Sequence, residues 1–205
     1  MNTKADEQTN VDLDFERQIK NYLTLACGFQ EVENYVFKNW PMSEALGFSD
    51  PAKCIEVTNP LAECQEYLRA GLFGGLLQNV KDNIRFNDSF RIFEHGKIFK
   101  NRPDENHTVK LNAKEYLPYQ TKRLTGFLID KNKSKEDLFF ETKGVVEGLK
   151  EQLGLNISLH NYDYVWLKPG YGFALKIDDE VVGEMGLLRA ETLSQVKIEA
   201  PVAVF

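Results

Sequence analysis

A single domain mixing helices with strands is the fold class this sequence predicts, and three observations predict it. Apolar residues recur at helical spacing twice, first through Phe15, Ile19, Tyr22, Leu23 and Ala26 and again between Glu136 and Leu153. Short apolar runs bounded by turn residues, Phe90 to Phe93 and Leu124 to Ile129, have the length and composition of strands. The length of 205 residues, with 42% apolar and 27% charged side chains, suits one fairly large soluble domain with a sizeable core.

Taken in order, residues 1–12 are polar and aperiodic and predict a flexible lead-in. The first helix then starts at Asp12 or Asp14 as N-cap and stops at Gly28, a natural left-handed terminator. A strand is expected from Gln30 to Phe37, a short helix from Pro41 to Leu46 with Pro41 in its first turn, and a short strand from Cys54 to Thr58. The next helix runs from about Phe73 to Ile84 and buries Leu76, Leu77, Val80 and Ile84. Glycines 71, 74 and 75 lack the Gly-Lys-Ser/Thr sequel of a phosphate loop, so close helix packing is the better reason for them.

At Ser89-Phe-Arg-Ile-Phe-Glu-His-Gly-Lys-Ile-Phe-Lys100 the expectation is a two-strand unit that turns at His95-Gly96. From Asn101 to Tyr119 the chain is polar and predicts an exposed loop. Leu124 to Ile129 predicts a central strand buried on both faces. Asp130 to Ser134 is a solvated turn, and the helix from Glu136 to Leu153 turns Leu138, Phe139, Val145, Val146, Leu149 and Leu153 inward until Gly154 ends it. Val202 to Phe205 is a last strand.

Composition excludes several functions. A net charge of −6 argues against a basic surface that grips nucleic acid over its whole extent. No apolar run approaches the roughly 18 residues of a membrane span. The start MNTKADEQTNVDLD has no signal-peptide pattern, and a cytoplasmic location is expected. Cys27, Cys54 and Cys64 lack C-x-x-C spacing and predict free thiols in a reducing compartment. His95, His107 and His160 have no metal-ligand spacing, so no metal site is expected.

Several segments nevertheless resemble one family. Arg91-Ile-Phe-Glu94-His-Gly96, followed by Phe99, resembles the second signature motif of class II aminoacyl-tRNA synthetases, where a strand runs into Arg-x-Glu and a loop over ATP. Here Lys100 stands at the position of the Arg and Arg102 at that of the Glu. Gly28-Phe-Gln-Glu-Val32 resembles the opening helix–strand of the same fold, with Tyr35 near the place of its proline. Asn59-Pro-Leu61 with Glu66-Tyr-Leu-Arg-Ala-Gly-Leu-Phe-Gly-Gly-Leu-Leu77 is similar to the NPL…YLRxSLLPGLL run of the phenylalanyl-tRNA synthetase β subunit family. Asp137-Leu-Phe-Phe-Glu-Thr-Lys-Gly144, Lys168-Pro-Gly-Tyr-Gly-Phe-Ala174 and Val181-Val-Gly-Glu-Met-Gly-Leu-Leu188 resemble further segments of that family, in the same order.

The resemblance covers residues 14 to 205 and implies an α+β fold, an antiparallel sheet of about six strands flanked by helices. It implies a core domain over residues 13–205, cut from a longer β subunit. With Lys100, Arg102 and Glu94 at degenerate motif positions, it implies no catalytic residue in this piece. A lysine offers a point charge without the guanidinium fork, and Arg102 inverts the partner's charge. ATP and Mg²⁺ would serve the full complex and not this fragment. The implied partner is the catalytic α subunit of an (αβ)₂ ligase that charges tRNA(Phe), with Phe15, Ile19, Tyr22 and Leu23 as interface candidates; these residues fit equally well facing their own core. If exposed, this surface lets the isolated piece self-associate. A stand-alone regulatory paralogue that binds an amino acid or nucleotide is the alternative; an RNA-binding module is a further one, weakened by the acidic charge.

Overall fold

In a computed structural model, residues 4–38, 54–60, 62, 65–100 and 118–205 are described, with residues 4–10 described by backbone alone. Helix α1 (Lys4–Asn21) passes into one wide π turn, Tyr22–Ala26, closed by the Cys27 N–H donating to Tyr22 O at 3.1 Å. Gly28, at φ 70°, then reverses the chain, a conformation that costs any residue with a Cβ. There follow β1 (Gln30–Glu31), α2 (Phe73–Asn83), β2 (Ser89–Lys100), β3 (Tyr119–Asp130), α3 (Lys135–Leu153), β4 (Ile157–Asn161), β5 (Leu167–Ile177), β6 (Glu180–Leu188), α4 (Ala190–Gln195) and β7 (Val202–Val204).

The strands form one seven-stranded sheet in the order β1-β2-β3-β7-β6-β5-β4. Only the β1–β2 pair is parallel; the others are antiparallel. The sheet separates two cores because side chains alternate across it. On one face, α2 lays Leu76, Leu77 and Val80 over Ile92, Phe127 and Ile129, joined by Leu193, Val196 and Ile198 from α4 and the turn after it. On the other, α3 packs Leu138, Val145, Val146 and Leu149 against Phe93, Leu128, Met185 and Leu187, together with Ile19, Leu23, Phe29 and Phe205. Helix α3 is capped by the last residue of the turn before it, the Ser134 hydroxyl accepting the Asp137 N–H at 3.0 Å, and Gly154 ends it in the left-handed region as expected. No helix of the described residues is long and apolar enough to cross a membrane.

Four sequence expectations are corrected. The two-strand unit with a turn at His95-Gly96 is one continuous twelve-residue strand, β2, whose partner is β3; Gly96 pairs with Arg123 inside the ladder. The strand expected over Gln30–Phe37 forms ladder only at Gln30 and Glu31. Beyond it, Phe37 makes an isolated bridge to Leu68, and of the strand expected over Cys54–Thr58 only a bridge from Glu56 to Tyr67 forms. The first helix begins at Lys4, not at Asp12 or Asp14, so both lie within it and the lead-in is helical from Lys4 on. The expected helix Pro41–Leu46 and most of the expected loop, residues 101–117, lie outside the described residues; Tyr119 opens β3.

Candidate functional site

Of the three degenerate motif positions, Glu94 and Lys100 lie on β2. Residues 90, 92, 94, 96, 98 and 100 share the face toward α2, and along it the apolar floor of Ile92 gives way to Glu94. Glu94 is 1% exposed, and a buried carboxylate must be paired. Its partner is Arg69, 8% exposed, whose Nη1 donates to Glu94 Oε1. The same guanidinium donates to the carbonyls of Lys97 (2.9 Å) and Asn34 (3.2 Å). Asn34 completes the shell: its amide N–H donates to Glu94 Oε1 at 3.2 Å, and its side-chain amide donates to Glu94 Oε2 at 2.8 Å and Asn79 Oδ1 at 2.9 Å.

Geometry explains Gly96. A Cβ built there would stand 2.5 Å from Arg69 Nη2, so the strand carries its glycine where the guanidinium crosses it. His95-Gly96 reads as turn chemistry in the sequence, yet the pair serves close approach within a strand. Arg69 and Asn34, missed as site residues by sequence reasoning, carried one legible signal. Arg69 sits in the Tyr-Leu-Arg run and Glu94 in the Arg-x-Phe-Glu run, and the fold joins the two.

Lys100 ends β2 on the same face, and Arg102 lies outside the described residues. Opposite Ile92 the floor is filled by the protein's own rings: Phe73 packs on Phe127 at 4.9 Å and on Trp166 at 5.0 Å between centroids. Among the described residues this donor set does not fit an ATP–Mg²⁺ site, because the buried guanidinium is committed to Glu94 and two main-chain carbonyls. Among the described residues no group of three or more His, Cys, Asp or Glu converges to hold a metal.

The four interface candidates divide. Ile19 (7% exposed) and Leu23 (0%) belong to the protein's own core. Tyr22 is half-buried, its hydroxyl donating to Val145 O at 3.3 Å, and Phe15 remains 42% exposed. Val11 and Leu13 are also exposed on α1. A groove of about 440 Å³ runs past Leu13, Glu16, Arg17, Lys20, Thr24 and Glu31.

Charges hold α1 to the sheet beside this groove. Glu16 accepts from Lys122 and faces His95 Nδ1 at 3.9 Å, and Lys20 pairs with Glu31. The Lys122 hydrogen bond holds the Glu16 carboxyl below its ordinary value. Burial pushes His95 below 6.5, with Glu16 only partly opposing it. Between the folded and unfolded values of His95, the unfolded chain binds more protons. Stability is therefore expected to fall as pH drops below 6.5, and Glu16 adds to the fall below 4.5. Urea titrations across this range should show the upper part of the loss diminished in His95→Gln.

Glu184 behaves oppositely. Burial raises its carboxyl above 4.5, and the Tyr164 hydroxyl beside it is pushed up to about 12, first by burial and then by Glu184. The folded state holds this proton more tightly, so the contribution is full below 4.5 and is lost as pH rises through the folded value. Glu184→Gln should raise the urea midpoint at neutral pH, with the gain closing toward pH 4.5.

The model of the phenylalanyl tRNA synthetase beta chain CLM domain matches residues 1–205. The chain belongs to this family. A phenylalanine–tRNA ligase β subunit from Dehalococcoides mccartyi is 30% identical over 183 residues, covering 87% of this chain and 22% of the relative. One from Leptospira interrogans is 25% identical over 205 residues, covering 93% and 24% respectively. This CLM-domain chain thus spans about a quarter of the length of those β subunits. In fold it is similar to a pyrrolysyl-tRNA synthetase from Desulfitobacterium hafniense, at TM-score 0.72 and 14% identity over 94% of this chain and 62% of that one. The β-chain CLM domain therefore has a class II synthetase fold, as the sequence motifs implied.

Proposed function

We propose that this chain is the non-catalytic core of a phenylalanine–tRNA ligase β subunit, acting in the cytoplasm by packing against the catalytic α subunit. In this reading the (αβ)₂ enzyme charges tRNA(Phe) with phenylalanine, and ATP and Mg²⁺ are bound by the complex, outside the Glu94 region. The observation that carries it is the internal pairing of Arg69 with Glu94 on the face that leads to Lys100. A class II site stabilises a developing phosphate charge with free, preorganised cations. Here the buried cation already has its anion, so the motif strand holds structure. Exposed apolar residues on α1, flanked by Glu16, Arg17 and Lys20, suit a polar-rimmed protein interface.

The test is co-expression of the full-length β subunit with its α subunit and calorimetric titration of the two. Phe15→Glu and Leu13→Glu place charges on exposed positions and leave the Ile19–Leu23 core untouched. They are expected to weaken association at least about tenfold, in keeping with loss of a well-buried aromatic anchor. Unchanged affinity in both variants would remove α1 from the interface. A saturable rise in melting temperature with an amino acid or nucleotide, without affinity for α, would favour the regulatory paralogue.

A further inference from the structure

Beside the Glu94 network lies a pair of reactive side chains with no part in the proposed function. Lys38 Nζ donates to Cys54 Sγ at 3.3 Å, and the two residues are 7% and 5% exposed. Neither backbone is loosely held. Lys38 N–H donates to Tyr67 O at 2.8 Å and Arg69 N–H to Val36 O at 2.8 Å, fixing one flank of the 66–69 segment. On the other flank Leu68 N–H donates to Ile55 O at 2.9 Å and Val57 N–H to Glu66 O at 2.8 Å. The three short segments hold the amine and the thiol at contact on either side of the segment that delivers Arg69.

We propose that Lys38 and Cys54 form an oxidation-dependent covalent bridge, Nζ–O–Sγ, which ties the two flanks of the Arg69 segment together. The oxidant is dioxygen. The Sγ–H bond and one Nζ–H bond break, and Sγ–O and O–Nζ bonds form. One oxygen atom enters the bridge, and the other leaves as water with the two hydrogens. Four electrons pass from sulfur and nitrogen to oxygen, and a lysine that starts as ammonium also releases one proton to solvent. An interposed oxygen needs less approach of the two atoms than a direct sulfur–nitrogen bond, which suits a pair already in contact. Thiol reductants return the bridge to amine and thiol, so the site is a reversible redox mark of the kind that cysteine oxidation supplies elsewhere.

The experiment is peptide mapping of the full-length protein purified without reductant and held under air, beside a sample kept anaerobic with a thiol reductant. In the aerated protein the peptides containing Lys38 and Cys54 are expected to be joined, with the added mass of one oxygen less two hydrogens. Trypsin should fail to cut after Lys38, and reductant should restore both free peptides. Substituting Cys27 and Cys64 together by serine should leave the bridge in place, whereas Cys54→Ala should abolish it. Free Lys38 cleavage in the aerated wild-type protein overturns the proposal, as does Cys54 found only as thiol, sulfinic acid or a disulfide to Cys27 or Cys64. The wild-type comparison decides even if a variant does not fold.

Discussion

Replacing Glu94 with alanine is expected to cost about 3–5 kcal/mol of stability, the range for breaking a buried ion pair by removing one partner. The physical reason is the charge left behind. Arg69 would keep its two carbonyl acceptors, but its positive charge would sit 8% exposed with no anion beside it. Asn34 would also lose the acceptor of its backbone N–H and one of the two acceptors of its side-chain amide, keeping Asn79. The complementary change, Arg69→Met, leaves Glu94 stranded and should cost a similar amount. The double variant Glu94→Leu/Arg69→Met should cost well below the sum, because no buried charge remains. Urea denaturation of the three variants measures the coupling. Additive losses, or a loss for Glu94→Ala of under about 1 kcal/mol, would show that the pair is not the keystone of this face.

Gly186→Ala is expected to be the other severe change, at about 3 kcal/mol or more. In β5 the segment Lys168–Tyr171 breaks register between Leu167 and Gly172. Pro169 lies within it and Gly170 takes φ 77°. This bulge turns the Tyr171 carbonyl over β6. A Cβ at Gly186 would meet that oxygen at 2.1 Å and Leu167 Cδ1 at 3.0 Å. The first obstacle is backbone in the middle of a sheet, which cannot swing aside as a side-chain tip does. Gly144→Ala on α3 is the control: a Cβ there meets nothing within 4 Å, and alanine favours helix by about 1 kcal/mol over glycine. Thermal denaturation should therefore move the two variants in opposite directions. A Gly186→Ala protein as stable as wild type would mean that β5 and β6 separate more easily than their packing indicates.

Amino-acid order alone determined much of this protein. The apolar spacing of residues 138–153 and Gly154 define α3 almost to the residue, because a helix is specified by local periodicity and its own ends. The run Phe73–Asn83 and the buried end of β3 were legible for the same reason, and the ordered motifs were enough to imply the class II fold. What tertiary structure decided concerns partners distant in sequence. His95-Gly96 has local turn chemistry, but β3 pairs along its whole length and Arg69, 27 positions earlier, needs the space above Gly96. Ile19 and Phe15 lie on one helical stripe, yet α3 and the sheet cover Ile19 and leave Phe15 exposed. Glu94 reads as a synthetase motif residue until Arg69 and Asn34 arrive from elsewhere in the chain to neutralise it. Periodicity is a property of neighbours along the chain, whereas burial and charge pairing are settled by whichever distant segment comes to lie alongside.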